Sequence, residues 1–234
     1  MALSSVVGAQ SIIKPGVCTS STRPAVPFEG QVIFETDTDR LYVYNGTAWV
    51  IPNSPAQNPQ GLELITTVTC TSGGTASGGV VTVGSAVSSV VVATAFSSTY
   101  DNYKIVYEGG VSSALNDFTI ILGATVSGYY SNMMYSYFNA TTPTVINTSN
   151  ASSFVYVGGA TTTNTHLEFD LFNPFVTKNT ILTNATWLQA TPAGGVGKTN
   201  GYLSNTTSYS GFTIGLATGT ITGGTVRVYG YRNS

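Results

Sequence analysis

His166-Leu-Glu-Phe-Asp-Leu-Phe172 alternates strictly between apolar and polar or mixed positions. Leu167, Phe169 and Leu171 fall on one face, and His166, Glu168, Asp170 and Phe172 on the other. A period of two belongs to an extended strand, whose successive side chains point to opposite faces. Thr225-Val-Arg-Val-Tyr-Gly-Tyr231 repeats the pattern, with Val226 and Val228 opposing Arg227 and Tyr229. Working outward, strand signals recur near Leu62–Cys70, Val80–Val83, Val90–Thr94, Tyr103–Tyr107, Phe118–Leu122 and Met133–Phe138. They continue near Phe154–Val157, Thr180–Gln189, Gly201–Leu203 and Phe212–Ala217. Turn residues separate them, and no helical periodicity of useful length appears. The fold class is all-β, and residues 62–234 are expected to form a β-sandwich of the jelly-roll kind.

The front of the chain is organised differently. Residues 30–52 read as a small β-meander of three strands and two turns. Val32 and Phe34 alternate with Ile33 and Glu35, and Leu41 and Val43 with Tyr42 and Tyr44. Asn45-Gly46 is expected to supply the pair of positive φ angles that a two-residue hairpin needs, with Trp49-Val50 returning. Three short strands cannot offset the entropy of ordering them, so this module needs a partner surface. Phe34, Tyr42, Tyr44 and Trp49 are its candidate assembly residues. Residues 1–29 carry Pro15, Pro24 and Pro27 with few strand signals, and read as an extended attachment arm. Residues 53–61, with Pro55 and Pro59, read as a stiff linker.

Composition narrows the function classes. Of 234 residues, 42% are hydrophobic, enough for a core, and 11% are aromatic. Only 8% are charged, against roughly 25% in an average soluble domain. Ser, Thr, Asn and Gly solvate the surface instead, a balance common in secreted or virion β-proteins. The net charge of −2 and the lack of a basic block leave no electrostatic footprint for nucleic acid. Val80–Phe96 is broken by Gly84, Ser85, Ser88 and Ser89 and reads as two strands, not a membrane span. The segment from Met1 to Gln10 lacks a basic n-region and a sustained apolar run, so no secretory signal is expected. That combination fits release by cell lysis, as for a virus particle. Cys18 and Cys70 have no metal-type spacing and read as inert thiols, with a bridge between them as the alternative.

Several motifs look like chemistry and fail on context. Ala193-Gly-Gly-Val-Gly-Lys-Thr199 resembles the deviant phosphate loop of ParA-like ATPases, but Ala193 stands where that loop begins with Lys. Pro192 also occupies the first Gly position of the ordinary pattern, and no helix follows to bind the anion. It reads as a flexible inter-strand loop. His166, the sole histidine, has no nucleophile and carboxylate arranged around it, and reads as a surface or intersubunit residue. Glu168 and Asp170 stand side by side on one strand face, as on a solvated strand edge and not across a glycosidase cleft. Asp37 and Asp39 read as turn caps, too few for calcium. The sequons at Asn45, Asn139, Asn147, Asn184 and Asn205 arise readily in so Ser/Thr-rich a chain. Tyr129, Tyr130, Tyr135 and Tyr137 form the densest aromatic cluster and are the candidate receptor-binding residues, with core packing as their alternative role.

Two stretches resemble tailed-bacteriophage virion proteins of the fibre or spike kind. Thr22-Arg-Pro24, Glu29-Gly-Gln31, the acidic turn at Asp37–Asp39, Tyr44-Asn-Gly46 and Trp49 are similar to a small module that recurs in phage tail fibres. Phe96–Ile105, Leu203–Ile214 and Ile221–Arg232 are similar to C-terminal β-domains of fibre-like proteins in marine and cyanobacterial phages. The resemblance implies a non-enzymatic virion protein without cofactor or metal, and a homotrimer. It implies docking to other virion proteins by the N-terminal arm and exposure of the C-terminal domain to a cell-surface glycan or protein. Neither nucleic acid nor membrane insertion is implied. The chain lacks shaft repeats, which leaves a short tail fibre, a head fibre or a capsid decoration protein open. A secreted lectin or adhesin and a polysaccharide-acting enzyme are the readings outside the virion.

Overall fold

The computed structural model describes residues 15–52 and 61–232. The first part of the expected arm (residues 1–14) and most of the expected linker (residues 53–60) lie outside the described residues. The chain divides into two compact units, Met1–Pro59 and Gln60–Ser234. Both are all-β, with no helix among the described residues and so none long and apolar enough to cross a membrane.

The first unit is a four-stranded sheet ordered β1 (Gly16–Cys18), β2 (Val32–Glu35), β3 (Arg40–Tyr44) and β4 (Trp49–Val50). The expected meander is β2–β4. β1 is a correction to the reading of residues 1–29 as arm alone, because Gly16, Val17 and Cys18 pair in parallel with Ile33, Phe34 and Glu35. The β3–β4 turn also differs from expectation. It has four residues, Asn45 to Ala48, since Tyr44 pairs with Trp49. Only Gly46 adopts a positive φ, at 90°. Asn45 instead caps the turn with its side chain, whose Oδ1 accepts from the Thr47 and Ala48 amides at 3.0 and 2.8 Å.

The second unit begins with β5 (Leu62–Leu64), β6 (Thr69–Ser72), β7 (Gly74–Ser77), β8 (Val80–Val83) and β9 (Ser89–Ala93). Then come β10 (Asn102–Glu108), β11 (Val111–Ser112), β12 (Asn116–Leu122), β13 (Tyr129–Tyr137), β14 (Thr144–Ala151) and β15 (Gly158–Ala160). It closes with β16 (Thr165–Phe172), β17 (Thr180–Leu188), β18 (Gly195–Leu203), β19 (Phe212–Leu216), β20 (Ile221–Thr222) and β21 (Thr225–Tyr231). The main path runs β14-β13-β18-β17-β16-β15-β12-β19-β9-β6, and β10 branches from β16 to carry β21, β8, β7 and β5. β12 changes partner midway. Asn116 and Asp117 pair with β15, while Phe118–Leu122 pair with β19.

The alternation that identified the strands also places the core. Leu167, Phe169 and Leu171 are fully buried, as are Val226 and Val228 but for 1%. Each such side chain contributes roughly 1.5–3 kcal/mol on leaving water. The buried apolar cluster runs from Ile65 to Val228, wholly within the second unit. Its tyrosines satisfy their hydroxyls locally, as burial demands. Tyr103 Oη accepts from the Ser97 amide and donates to its carbonyl at 2.8 and 2.9 Å, and Tyr107 Oη donates to the Gly223 carbonyl at 2.7 Å.

Three further expectations are corrected. The segment near Leu62–Cys70 is two strands, split where Ile65 and Val68 turn inward around Thr66-Thr67. Gly195–Thr199 is ordered strand, not flexible loop. Glu168 and Asp170 are not on a solvated edge, because β16 has neighbours on both sides. Asp170 is 6% exposed and accepts from Asn184 Nδ2 and Tyr231 Oη at 2.8 and 2.7 Å. Glu168 pairs with Lys104, whose hydrogen bond holds its carboxyl below the ordinary range.

Candidate functional site

The two faces of the small sheet are unlike. Residues paired across strands share a face, so Ile33, Glu35, Tyr42, Tyr44 and Trp49 lie together. This face is covered from within its own unit. Arg23 donates to the fully buried Glu35, which also accepts from Thr38 Oγ1 at 3.0 Å. The Arg23 guanidinium sits 4.7 Å over the Tyr42 ring, and the Tyr44 and Trp49 rings meet at 5.4 Å. The Arg23 hydrogen bond holds the Glu35 carboxyl below its ordinary value. Asp37, expected to cap its own turn, reaches a distant one, where its Oδ1 accepts from the Ser20 amide at 2.9 Å.

The opposite face carries Val17, Val32, Phe34, Leu41, Val43 and Val50. It is apolar throughout, with Val17 66% and Leu41 41% exposed and Val32, Phe34, Val43 and Val50 half-buried. Among the described residues of this unit, Ile33 is the lone buried hydrophobic side chain, and it lies on the other face. The four expected assembly residues are therefore divided. Phe34 belongs to the open apolar face, whereas Tyr42, Tyr44 and Trp49 are committed to packing their own unit.

The four expected receptor-binding tyrosines are also divided, by the alternation of β13. Tyr129 is 1% exposed and is a core residue, a correction to its reading as a surface contact. Its ring meets Phe154 edge-on at 4.8 Å, and its hydroxyl accepts from the Leu122 amide at 2.8 Å. Tyr130 points to the other face of the sheet, where it stacks on Tyr202 at 5.2 Å and 11°. Asn132 and Asn200 pair beside them, so this face is an aromatic step next to an amide row.

Tyr135 and Tyr137 return to the side of Tyr129 and line a cavity of about 260 Å³ with Asp117, Tyr156, Trp187 and Gln189. Sequence reasoning missed the last four. The signal was the spacing of Gly195 and Gly197, two residues apart on one face of β18. Gly197 lies between Tyr135 of β13 and Trp187 of β17 in the same cross-strand row. A Cβ there would come within 2.5 Å of the Tyr135 Cβ. Without it, the Tyr135 and Trp187 rings reach across β18 to 5.4 Å. The segment that mimics a phosphate loop thus makes room for an aromatic cluster.

Asp117 sits where β12 changes partner. Its Oδ1 accepts from Trp187 Nε1 at 2.6 Å and Gln189 Nε2 at 3.0 Å. Burial raises its pKa above the ordinary carboxyl value, and these two donors oppose the shift. Tyr156 holds a φ of 57°, costly for an aromatic residue. Its carbonyl is fixed by the Thr199 hydroxyl at 2.7 Å. Backbone strain and a tuned carboxylate therefore coincide at this cavity. No group of three or more metal-ligating side chains occurs among the described residues. Cys18 and Cys70 are free thiols. No family model, curated protein or solved structure matches the chain.

Proposed function

We propose that the chain is a structural protein of a tailed-phage virion, a short tail fibre or similar appendage. It assembles as a homotrimer through its first unit and presents its second unit to the host surface. The observation that carries this reading is the open face of the small sheet. A sheet face that is apolar throughout and keeps Val17 and Leu41 exposed has surface still to bury, and copies of the same chain are the occupant that an identical patch on each subunit fits. Val17, Phe34 and Leu41 would face their symmetry mates there.

The second unit is read as a two-sheet sandwich of the jelly-roll kind. The partner change of β12 supports this, because corners of that sort pass a strand from one sheet to the next. The residues that carry the resemblance to the phage module also support the reading. Arg23, Tyr44, Asn45, Gly46 and Trp49 are those that hold the small unit together. Host contact through three linked copies would be avid even where each site is weak.

The test is location. Antibody raised against residues 62–234 is applied to phage particles released from cells that make this chain, and electron microscopy records the label. Label at the tail is expected. Label spread over the head lattice would replace the fibre with a decoration role, and unlabelled particles would remove the virion reading.

A further inference from the structure

The geometry points to the Asp117–Trp187 cavity as a binding site for the ring of a neutral sugar. This deepens the host-contact reading above by naming the ligand class, and it rests on that reading only for where the sugar comes from.

Both structural donors to Asp117 use Oδ1, and Oδ2 has no hydrogen-bond partner among the described residues. Gln189 donates through Nε2 to Asp117 Oδ1 and the Asn116 carbonyl, while its Oε1 accepts nothing there. Neither oxygen is among the sealed, unpaired polar atoms of the second unit, so both keep access to a ligand. Two free acceptors on hydrogen-bonded neighbours that line one cavity, one of them a carboxylate oxygen, suit the vicinal hydroxyls of a pyranose.

The walls supply the complement. Tyr135, Tyr137 and Trp187 give apolar ring surface for the C–H face of a sugar, and Tyr137 stands 42% exposed at the cavity. A cation would need several ring faces aimed at one empty point. Here the rings pack on one another at 67–87°, with centroids 5.2–6.5 Å apart, so they do not close around one empty point, while Tyr137 keeps exposed ring surface for a sugar. The cavity of about 260 Å³ is below the usual range for drug-sized ligands and suits a single ring. Asp117 is also held in place, by two donors and by the pairing of its strand with β15, so the free oxygen is preorganised.

Trp187 is its own reporter. The chain has two tryptophans, and Trp49→Phe leaves Trp187 alone to emit. The full-length Trp49→Phe protein is titrated with the methyl glycosides of glucose, galactose, mannose and N-acetylglucosamine, and with tetramethylammonium chloride. At least one glycoside should change Trp187 emission saturably. Asp117→Asn keeps one accepting oxygen for Trp187 and turns the free oxygen into a donor, so affinity should fall roughly tenfold or more. Tyr137→Ala, at an exposed position, should weaken binding without touching the carboxylate. The inference is overturned if no glycoside gives a saturable change, if neither substitution weakens binding, or if only the tetramethylammonium ion binds. The protein with its native Trp49 is weighed in native form beside these titrations. A monomer that binds sugar removes the trimer and keeps this site, and a trimer blind to every glycoside does the reverse.

Discussion

Tyr129→Phe separates packing from recognition in the aromatic cluster. The substitution deletes one oxygen and leaves the ring on Phe154. In the native protein that oxygen accepts from the Leu122 amide at 2.8 Å and donates to the Thr125 carbonyl at 3.2 Å. Leu122 is fully buried, so its amide finds no water when the hydroxyl goes. An orphaned buried donor costs about 1–3 kcal/mol. In a unit of this size each kcal/mol lowers the melting temperature by roughly 2–4 °C. Urea unfolding followed by near-ultraviolet circular dichroism should show the loss as a lower midpoint at unchanged slope. Tyr130→Phe is the control. Its hydroxyl has no hydrogen bond within the described residues, so its effect should stay within about 0.5 kcal/mol. Equal stability of Tyr129→Phe and the parent protein would refute the assignment of this tyrosine to the core.

Other consequences follow from the same geometry. Tyr107 and Tyr129 have pKa values pushed up by burial to about 12, from an ordinary 10.0. Their contribution is complete below 10.0 and is lost as pH rises through about 12, so alkaline unfolding should fall in that interval when followed by tyrosinate absorbance. Glu35 is shifted the other way, chiefly by its hydrogen bond from Arg23. Its stabilisation of the small sheet is fully present above 4.5 and is lost as pH falls below it through the lowered folded value. Protection of the β2 and β3 amides, taken relative to their intrinsic exchange at each pH, should therefore fall in acid, and Glu35→Gln should flatten that dependence. Gly197→Ala puts a methyl group 2.5 Å from the Tyr135 Cβ and 2.7 Å from the Met134 carbonyl oxygen. Overpacking of this kind costs about 1–3 kcal/mol, and a lower urea midpoint together with shifted Trp187 emission is expected.

Much of the fold was legible because burial is one-sided along interior strands. Leu167, Phe169 and Leu171 declare their face, as do Val226 and Val228. β14 did not, since only Ile146 and Ala151 of Thr144–Ala151 are apolar and half-buried, and the strand is held by its register with β13. β1 was hidden for a related reason. Three residues after Pro15 carry no period, and their pairing with β2 is a matter of distance along the chain, not pattern. Gly195–Thr199 read as a loop because glycine usually marks one, whereas here its missing side chain admits the rings of neighbouring strands. The candidate site was half visible. Tyr135 and Tyr137 stand close in sequence, but Asp117 and Trp187 come from strands brought near by the partner change of β12 and the long pairing of β17 with β18. No local spacing encodes that meeting. The division of the assembly residues was hidden because Arg23, which covers one face of the small sheet, precedes β2 in a segment without strand pattern.

The measurement that bears most directly on the account is the native mass of the full-length chain, by sedimentation equilibrium over a wide concentration range. Three chains per particle are predicted for the native sequence. Val17→Asp should shift the mass toward one chain, since the residue is 66% exposed in the lone unit and assembly would bury an unpaired carboxylate at a cost of several kcal/mol. A single chain at every concentration, with the small sheet intact by amide exchange, would contradict the claim that its apolar face is completed by copies of itself.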